Sequence, residues 1–532
     1  MGRSGLRAAI IVLLAMLAVA VLMSGCARPG AKPSPSPAAS PLPPSGHAGV
    51  LIGVEYAMPG MAKPFSALGI PAVKYFPGSI AWAKMQPSRD APIDFGPMDR
   101  YVKEYQDAGF TDLVVALKTD GSWAIRDKIK DLSPKPEYLG DYGRWVQAVV
   151  ERYDMDGKDD MPGLRVPIRY YEVGVEFSSY EPEPVEHYLE MLEQAYHSAH
   201  NASDNAIVMN SAFLATTAFK DHPGPGQYET SFAAVDKRIM YHSLADIRKV
   251  LDRPDIFDAV DFHALGDPYE IEDTVNWLRY EMRSRGYEKP IVIGDTATSP
   301  LIALGPATVA EGAVKGLVVP PATEADRPRL ARYFQKLVDG DEETVQWTQS
   351  FAAADTVKKV VVAADMGVAL IDTAFMEDLS WLKLKPFVAA AGTSPWAGMT
   401  DTSVNVLNEQ RTVKGYRPGY YALGQLNGHI QGYKSIARLP VQDEGIRLYR
   451  VEKDGEGFWI TWYEPGTVIL SGEAVPHVKL KLMVNGSSAI IEPMIAAPGQ
   501  TGPERSEVVA DAGMAEVDLT PTPMYISNTT NF

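Results

Sequence analysis

Cysteine is almost absent: the chain has one, Cys26, in 532 residues. No second cysteine exists to close a disulfide, so the fold must be held by its packed core. Positive charge is in deficit, with 50 Lys and Arg against 67 Asp and Glu and a formal net charge of -17. Phosphate contacts need a basic surface, so nucleic acid is not an expected partner. Internal repeats and metal-ligand spacings do not stand out either, and no metal or cofactor is expected from the sequence.

What the chain does have is length and apolar content. At 46% hydrophobic and 22% charged residues it is globular in composition, and its length suggests one large domain followed by a smaller one. Arg3 and Arg7 precede an apolar run from Ala8 to Met23, then Ser24-Gly25-Cys26. A basic start and an apolar stretch of this length are expected of a secretory signal, short for a membrane span. Met23-Ser24-Gly25-Cys26 resembles a bacterial lipobox, which implies lipidation at Cys26 and an extracytoplasmic chain tethered to the cell-envelope membrane. The other reading is an uncleaved anchor. Residues 27–48 hold prolines at 29, 33, 35, 37, 41, 43 and 44, a tract expected to act as an extended spacer.

From Gly49 short apolar strands alternate with amphipathic helices, which predicts parallel α/β architecture. Strands are expected at Gly53–Tyr56, Ala72–Tyr75, Leu113–Leu117, Ala206–Phe213 and Asp258–His263. Tyr142, Trp145, Val146, Val149, Val150 and Tyr153 form one helical stripe, and those aromatics belong to the core. Residues 299–350 are longer than a crossover needs and predict helices at Leu330–Val338 and Val345–Phe351. Lys358–Ala364 and Gly367–Thr373 are expected to complete an eighth unit. Proline at 418 suits the first turn of a last helix. Beyond Gly432 the pattern turns to β, with a hairpin of Ile446–Val451 and Phe458–Tyr463.

Two stretches carry the chemistry. Tyr170–Ser178 reads Tyr-Tyr-Glu-Val-Gly-Val-Glu-Phe-Ser, and Lys289–Thr298 reads Lys-Pro-Ile-Val-Ile-Gly-Asp-Thr-Ala-Thr. Each delivers one carboxylate, Glu176 or Asp295, where a strand would emerge from its sheet. A parallel barrel buries most of each strand, so an acid is expected mainly at the C-terminal mouth. Two such acids facing one cavity make the pair with which glycosidases supply a proton from one side and a nucleophile or base from the other. Taken singly, each acid also fits a helix cap.

The order and spacing of these segments resemble retaining glycoside hydrolases with a (β/α)8 barrel of the 4/7 type, cellulase-like and xylosidase-like members included. The resemblance runs from Gly49 to Phe532. It rests on Trp82–Pro87 with Asp94-Phe95 and Asp99, on Arg152-Tyr153-Asp154 ahead of Tyr171–Glu176, and on Lys289–Asp295. Pro418–Leu423 and Leu519–Ile526 match the final helix and terminal β-sandwich. It implies a TIM barrel at 49–433, an all-β sandwich at 434–532, Glu176 as general acid/base, Asp295 in the nucleophile's place, and a carbohydrate partner. His263 matches a sixth-strand position that orients the nucleophile, or is a hydrogen-bonded histidine of the barrel wall. Trp82 and Trp123 are candidates to stack on sugar faces or to pack in the core.

Three positions depart from the family. Val175 stands where the family has an Asn that hydrogen-bonds the sugar 2-hydroxyl. Asp295 is a methylene shorter than the usual Glu, against a carboxyl separation of roughly 5 to 5.5 Å in retaining enzymes. Lys74 replaces an Arg that supports the nucleophile, so a fork becomes a point charge. Three readings follow: a tethered hydrolase, retaining or (with a water admitted by the shorter Asp295) inverting; a degenerate barrel that binds glycan or an envelope partner without cleavage; and a purely structural lipoprotein.

Overall fold

The computed structural model describes residues 49–75, 80–177, 183–215, 217–235, 240, 242–298, 302–310, 313–378, 396–405 and 409–528. The expected signal, Cys26 and the linker lie outside the described residues.

Eight parallel strands close into a barrel: β1 Leu51–Ala57, β2 Ala72–Tyr75, β3 Asp112–Ala116, β4 Tyr170–Glu176, β5 Ile207–Leu214, β6 Val260–Ala264, β7 Ile291–Thr296 and β8 Leu370–Thr373. β1 pairs with β8, which closes the ring. Helices follow the strands, among them Gly96–Asp107, Leu139–Tyr153, Val185–Ala202 and Glu270–Ser284. Strand alternation sorts the side chains. Ile52, Val54, Val73, Leu113, Val115, Tyr171, Val173, Val260, Phe262, Ile293 and Ile371 join the helices in the main core. Leu51, Ala72, Val114, Tyr170, Met209, Ala259, Val292 and Leu370 fill the barrel's apolar floor.

Two residues further along four of the strands, the inward layer becomes charged. Lys74, Glu172, Asp261 and Asp372 occupy it, all with no exposed surface. This corrects the expectation that acids are tolerated mainly at the mouth: here they sit mid-barrel, where their partners are one another and Lys74.

Residues 342–365 form one continuous helix rather than separate pieces at 345–351 and 358–364. Asp341 caps it by accepting from the Thr344 N–H, and no glycine or proline interrupts it. Two antiparallel hairpins escape the sequence pattern: Ile302–Ala310 with Ala313–Val318, and Thr400–Val404 with Arg411–Tyr416.

The C-terminal region is an antiparallel six-stranded sheet whose spatial order is Ser435–Arg438, Ile446–Lys453, Glu456–Tyr463, Met524–Asn528, Ser488–Pro493 and Ser506–Val509. A two-stranded sheet, Val478–Met483 with Met514–Leu519, covers one face over a core that includes Leu448, Trp459, Leu480, Val517 and Ile526. The other face sends Tyr449, Ile460, Trp462 and Tyr525 into the main core. Trp462 donates its indole N–H to the Tyr269 hydroxyl at 2.8 Å, and Glu464 joins Tyr269 (2.9 Å) and Lys358 (3.0 Å). The chain is thus an α/β barrel followed by an all-β domain, as the sequence pattern predicts.

Candidate active site

Glu176 ends β4 just beyond a bulge. β4 and β5 fall out of step between Val173 and Glu176, and Gly174 takes a φ of +96°, a conformation that suits a residue without Cβ. The Tyr188 hydroxyl fills the gap, donating to the Val173 carbonyl at 3.2 Å and accepting the Ser211 N–H at 2.6 Å. The bulge therefore leaves few orphaned backbone groups while it re-aims the end of the strand.

Glu176 keeps 19% of its side chain exposed, and its Oε1 lies 2.8 Å from His263 Nδ1. His263, on β6, is 2% exposed. Burial pulls its pKa down, but the hydrogen bond and charge of Glu176 outweigh that and raise it overall. β6 and β7 also slip register, so that His263 stands opposite Asp295.

Asp295 lies deeper. Burial pushes its carboxyl well above the usual carboxylate range, and the Glu55 carboxyl, in hydrogen-bond contact with it, pushes it further. Lys74 pulls the other way, and the charge of Glu176 adds to the rise. Two ionised carboxyls in contact repel, so the contact with Glu55 disfavours the charged form of Asp295. Tyr56, half-buried at the end of β1 with its ring edge-on to Phe375 at 4.7 Å, feels the charges of both Asp295 and Glu176.

Lys74 donates to the Gly294 carbonyl at 2.9 Å and pairs with Glu172 Oε2 at 2.8 Å and Glu55 Oε1 at 3.8 Å. Burial opposes its charge, yet these carboxylates raise its pKa well above the ordinary lysine value. Burial pushes Asp261 up to about 7, with the Glu172 charge adding to it, and Asp372 is likewise driven well up by burial.

Two of the expected site residues are fully enclosed. Lys74 is wholly enclosed and is a structural counter-ion, as its ion pairs dictate. Trp82 is also wholly buried, within ring-contact distance of Trp123, Tyr142 and Trp145, and its N–H is given to Gln86 Oε1. Trp123 remains half-buried, with its N–H on the Gln86 carbonyl at 3.0 Å. Val175 sits in the bulge with 8% exposure. Asp99 binds Arg152 at 2.7 Å and Tyr153 at 2.8 Å, so these motif residues lock two barrel helices together.

The residues that escaped the sequence are Glu55, Tyr56, Glu172, Asp261 and Asp372. Their signal was parity: each acid lies an even number of places from an inward apolar residue, as in Leu51-Gly53-Glu55 and Leu370-Asp372.

No protein-family model matches the sequence, and no curated protein matches it. Solved structures do. The likeness shows the fold. A conserved exported protein from Bacteroides fragilis shares it at a TM-score of 0.51 and 7% identity, over 90% of this chain and 98% of that one. A 4-O-α-L-rhamnosyl-β-D-glucuronidase from Fusarium oxysporum does so at 0.50 and 12%, over 92% and 99%. The GH39 enzyme from Xanthomonas axonopodis pv. citri is similar at 0.49 and 11%, over 92% and 96%.

Proposed function

We propose that the chain acts on glycans as a hydrolase of the 4/7 barrel type, with Glu176 as general acid/base and Asp295 opposite it. The observation that carries this reading is the placement of Glu176 and Asp295 at the ends of β4 and β7 of one closed barrel, with Asp295 within reach of the Glu176 charge. Glu176 would protonate the leaving glycosidic oxygen as the bond to the anomeric carbon breaks. Asp295, once it has lost its proton, would attack that carbon directly or, in an inverting variant, deprotonate the attacking water. His263 would orient Glu176 through its 2.8 Å hydrogen bond. Half-buried Trp123 is a candidate to border the sugar.

A second reading, a barrel that binds glycan or an envelope partner without cleaving it, is favoured by two specific observations. Burial and the Glu55 contact disfavour the ionised form of Asp295 that attack would need, and the Val175 side chain offers no hydrogen bond to a 2-hydroxyl. Turnover on a panel of glycosides separates the two. The hydrolase reading requires turnover that Glu176→Gln abolishes; tight oligosaccharide binding without turnover, untouched by Asp295→Ala, would establish the binder.

We further propose that residues 1–26 direct export and lipidation at Cys26, that 27–48 form a spacer, and that the barrel and β domain meet at 433/434. Cys26→Ser should move the protein from the membrane to the soluble extracytoplasmic fraction; retention in the membrane would refute the lipid tether.

A further inference from the structure

Below the mouth the barrel encloses an unusual charge balance. Glu55, Glu172, Asp261 and Asp372, all buried, gather around the ammonium of Lys74, whose charge bears on each of them. One lysine cannot neutralise so many carboxyls in a space closed to water. The balance must come from protons or from another cation.

Two of these acids, with His263 two residues beyond Asp261 on β6, are arranged for a cation. Glu172, Asp261 and His263 each offer a ligand atom, and those atoms lie within 4.8 Å of one another. Donors held about 2.0–2.2 Å from a common ion stand at most about 4.4 Å apart, so a small contraction closes the set. Each residue has one polar atom anchored and another with no partner. Asp261 Oδ1 accepts the Gly294 N–H at 2.8 Å, and Oδ2 has none. Glu172 Oε2 is ion-paired with Lys74 at 2.8 Å, and neither of its oxygens has a hydrogen-bond partner. His263 Nδ1 is engaged by Glu176, while Nε2, buried, has none. Gly294 keeps the cradle open, since a Cβ there would lie 2.5 Å from Asp261 Oδ2.

The histidine geometry points to a metal independently of the acids. A ligating imidazole usually gives its other ring N–H to a carboxylate, which fixes the tautomer and strengthens the ligand. Glu176 stands in that relation to His263.

We propose that Glu172, Asp261 and His263 form a binding site for one first-row divalent metal ion of the zinc, cobalt(II) or manganese(II) class. An imidazole in the set disfavours magnesium and calcium, which prefer all-oxygen ligands. The ion on Nε2 would hold the Nδ1–H toward Glu176, so occupancy of the chamber would be felt at the mouth.

The test uses the full-length chain, stripped with a chelator and then equilibrated with Zn2+ or Co2+. Bound metal per chain is read by elemental analysis, and ligation by the visible absorption of Co2+. One equivalent is expected, with Glu172→Gln or Asp261→Asn weakening affinity by roughly a hundredfold or more and Glu176→Gln by roughly tenfold. Asp160→Asn, in an exposed acidic loop elsewhere, should leave the stoichiometry at one. If Glu172→Gln does not fold, Asp261→Asn together with loss of the imidazole-type Co2+ spectrum in His263→Gln decides. Absence of stoichiometric metal, or affinity unchanged in folded chamber variants, overturns the site. The readout is binding, so its failure leaves the hydrolase reading standing.

Discussion

Asp295 governs the chemistry proposed at the mouth, because a nucleophile or base must be ionised to act. Burial and Glu55 raise its pKa, so activity should be low at acid pH and rise as pH climbs through a pKa well above that of an ordinary carboxyl. Glu55→Gln removes the neighbouring charge and supplies an amide donor, and should move that rising limb to lower pH; a kcat/KM profile checks the shift. Asp372 gives the matching stability prediction. Its folded pKa is raised, so the fold binds its proton more tightly than the unfolded chain does, and stability should fall as pH rises from about 4 through the folded pKa. Asp372→Asn should therefore be more stable than the parent at pH 8, by about 1–3 kcal/mol, with the gap closing near pH 4 in paired denaturant titrations. Glu176 and Asp295 were legible in the sequence because each ends an apolar strand. Glu55 and Asp372 were not, because a lone acid inside a strand looks the same whether it faces a chamber or a helix. Only closure of the barrel brings Lys74 to Glu172.

Strands and helices were legible wherever periodicity was clean. The stripe from Tyr142 to Tyr153 became the helix Leu139–Tyr153, and Ala72–Tyr75 became β2 without change. Register slips are another matter. The bulge at Gly174 depends on the Tyr188 hydroxyl, a contact across strand and helix that no local pattern announces. Gly174→Ala should force a strained backbone conformation at a cost of about 1–3 kcal/mol. Because Glu176 lies two residues on, glycoside binding should weaken as well, a pairing that a melting curve and a binding titration read together. The hairpin Ile302–Ala310 with Ala313–Val318 was missed for a simpler reason: residues 299–350 give helical signals that draw attention from a short alternating run.

Barrel and β domain share one core, since Tyr449, Ile460 and Trp462 pack with barrel residues rather than within the sandwich alone. The two should melt in one transition, and Trp462→Ala, which also strips the Tyr269 hydroxyl of its indole donor, should cost about 3–5 kcal/mol and shift that single transition. Separate transitions in calorimetry would count against a shared core. Overall architecture was the most legible level, because eight strand–helix alternations followed by a β pattern admit few arrangements. Function is decided more directly by one comparison: steady-state turnover of a panel of unactivated glycosides by the parent chain and by Glu176→Gln. Acid/base catalysis by Glu176 predicts a loss of about 10²–10⁴-fold in kcat with the substitution. Equal rates in the two proteins, or no turnover by either, would contradict it.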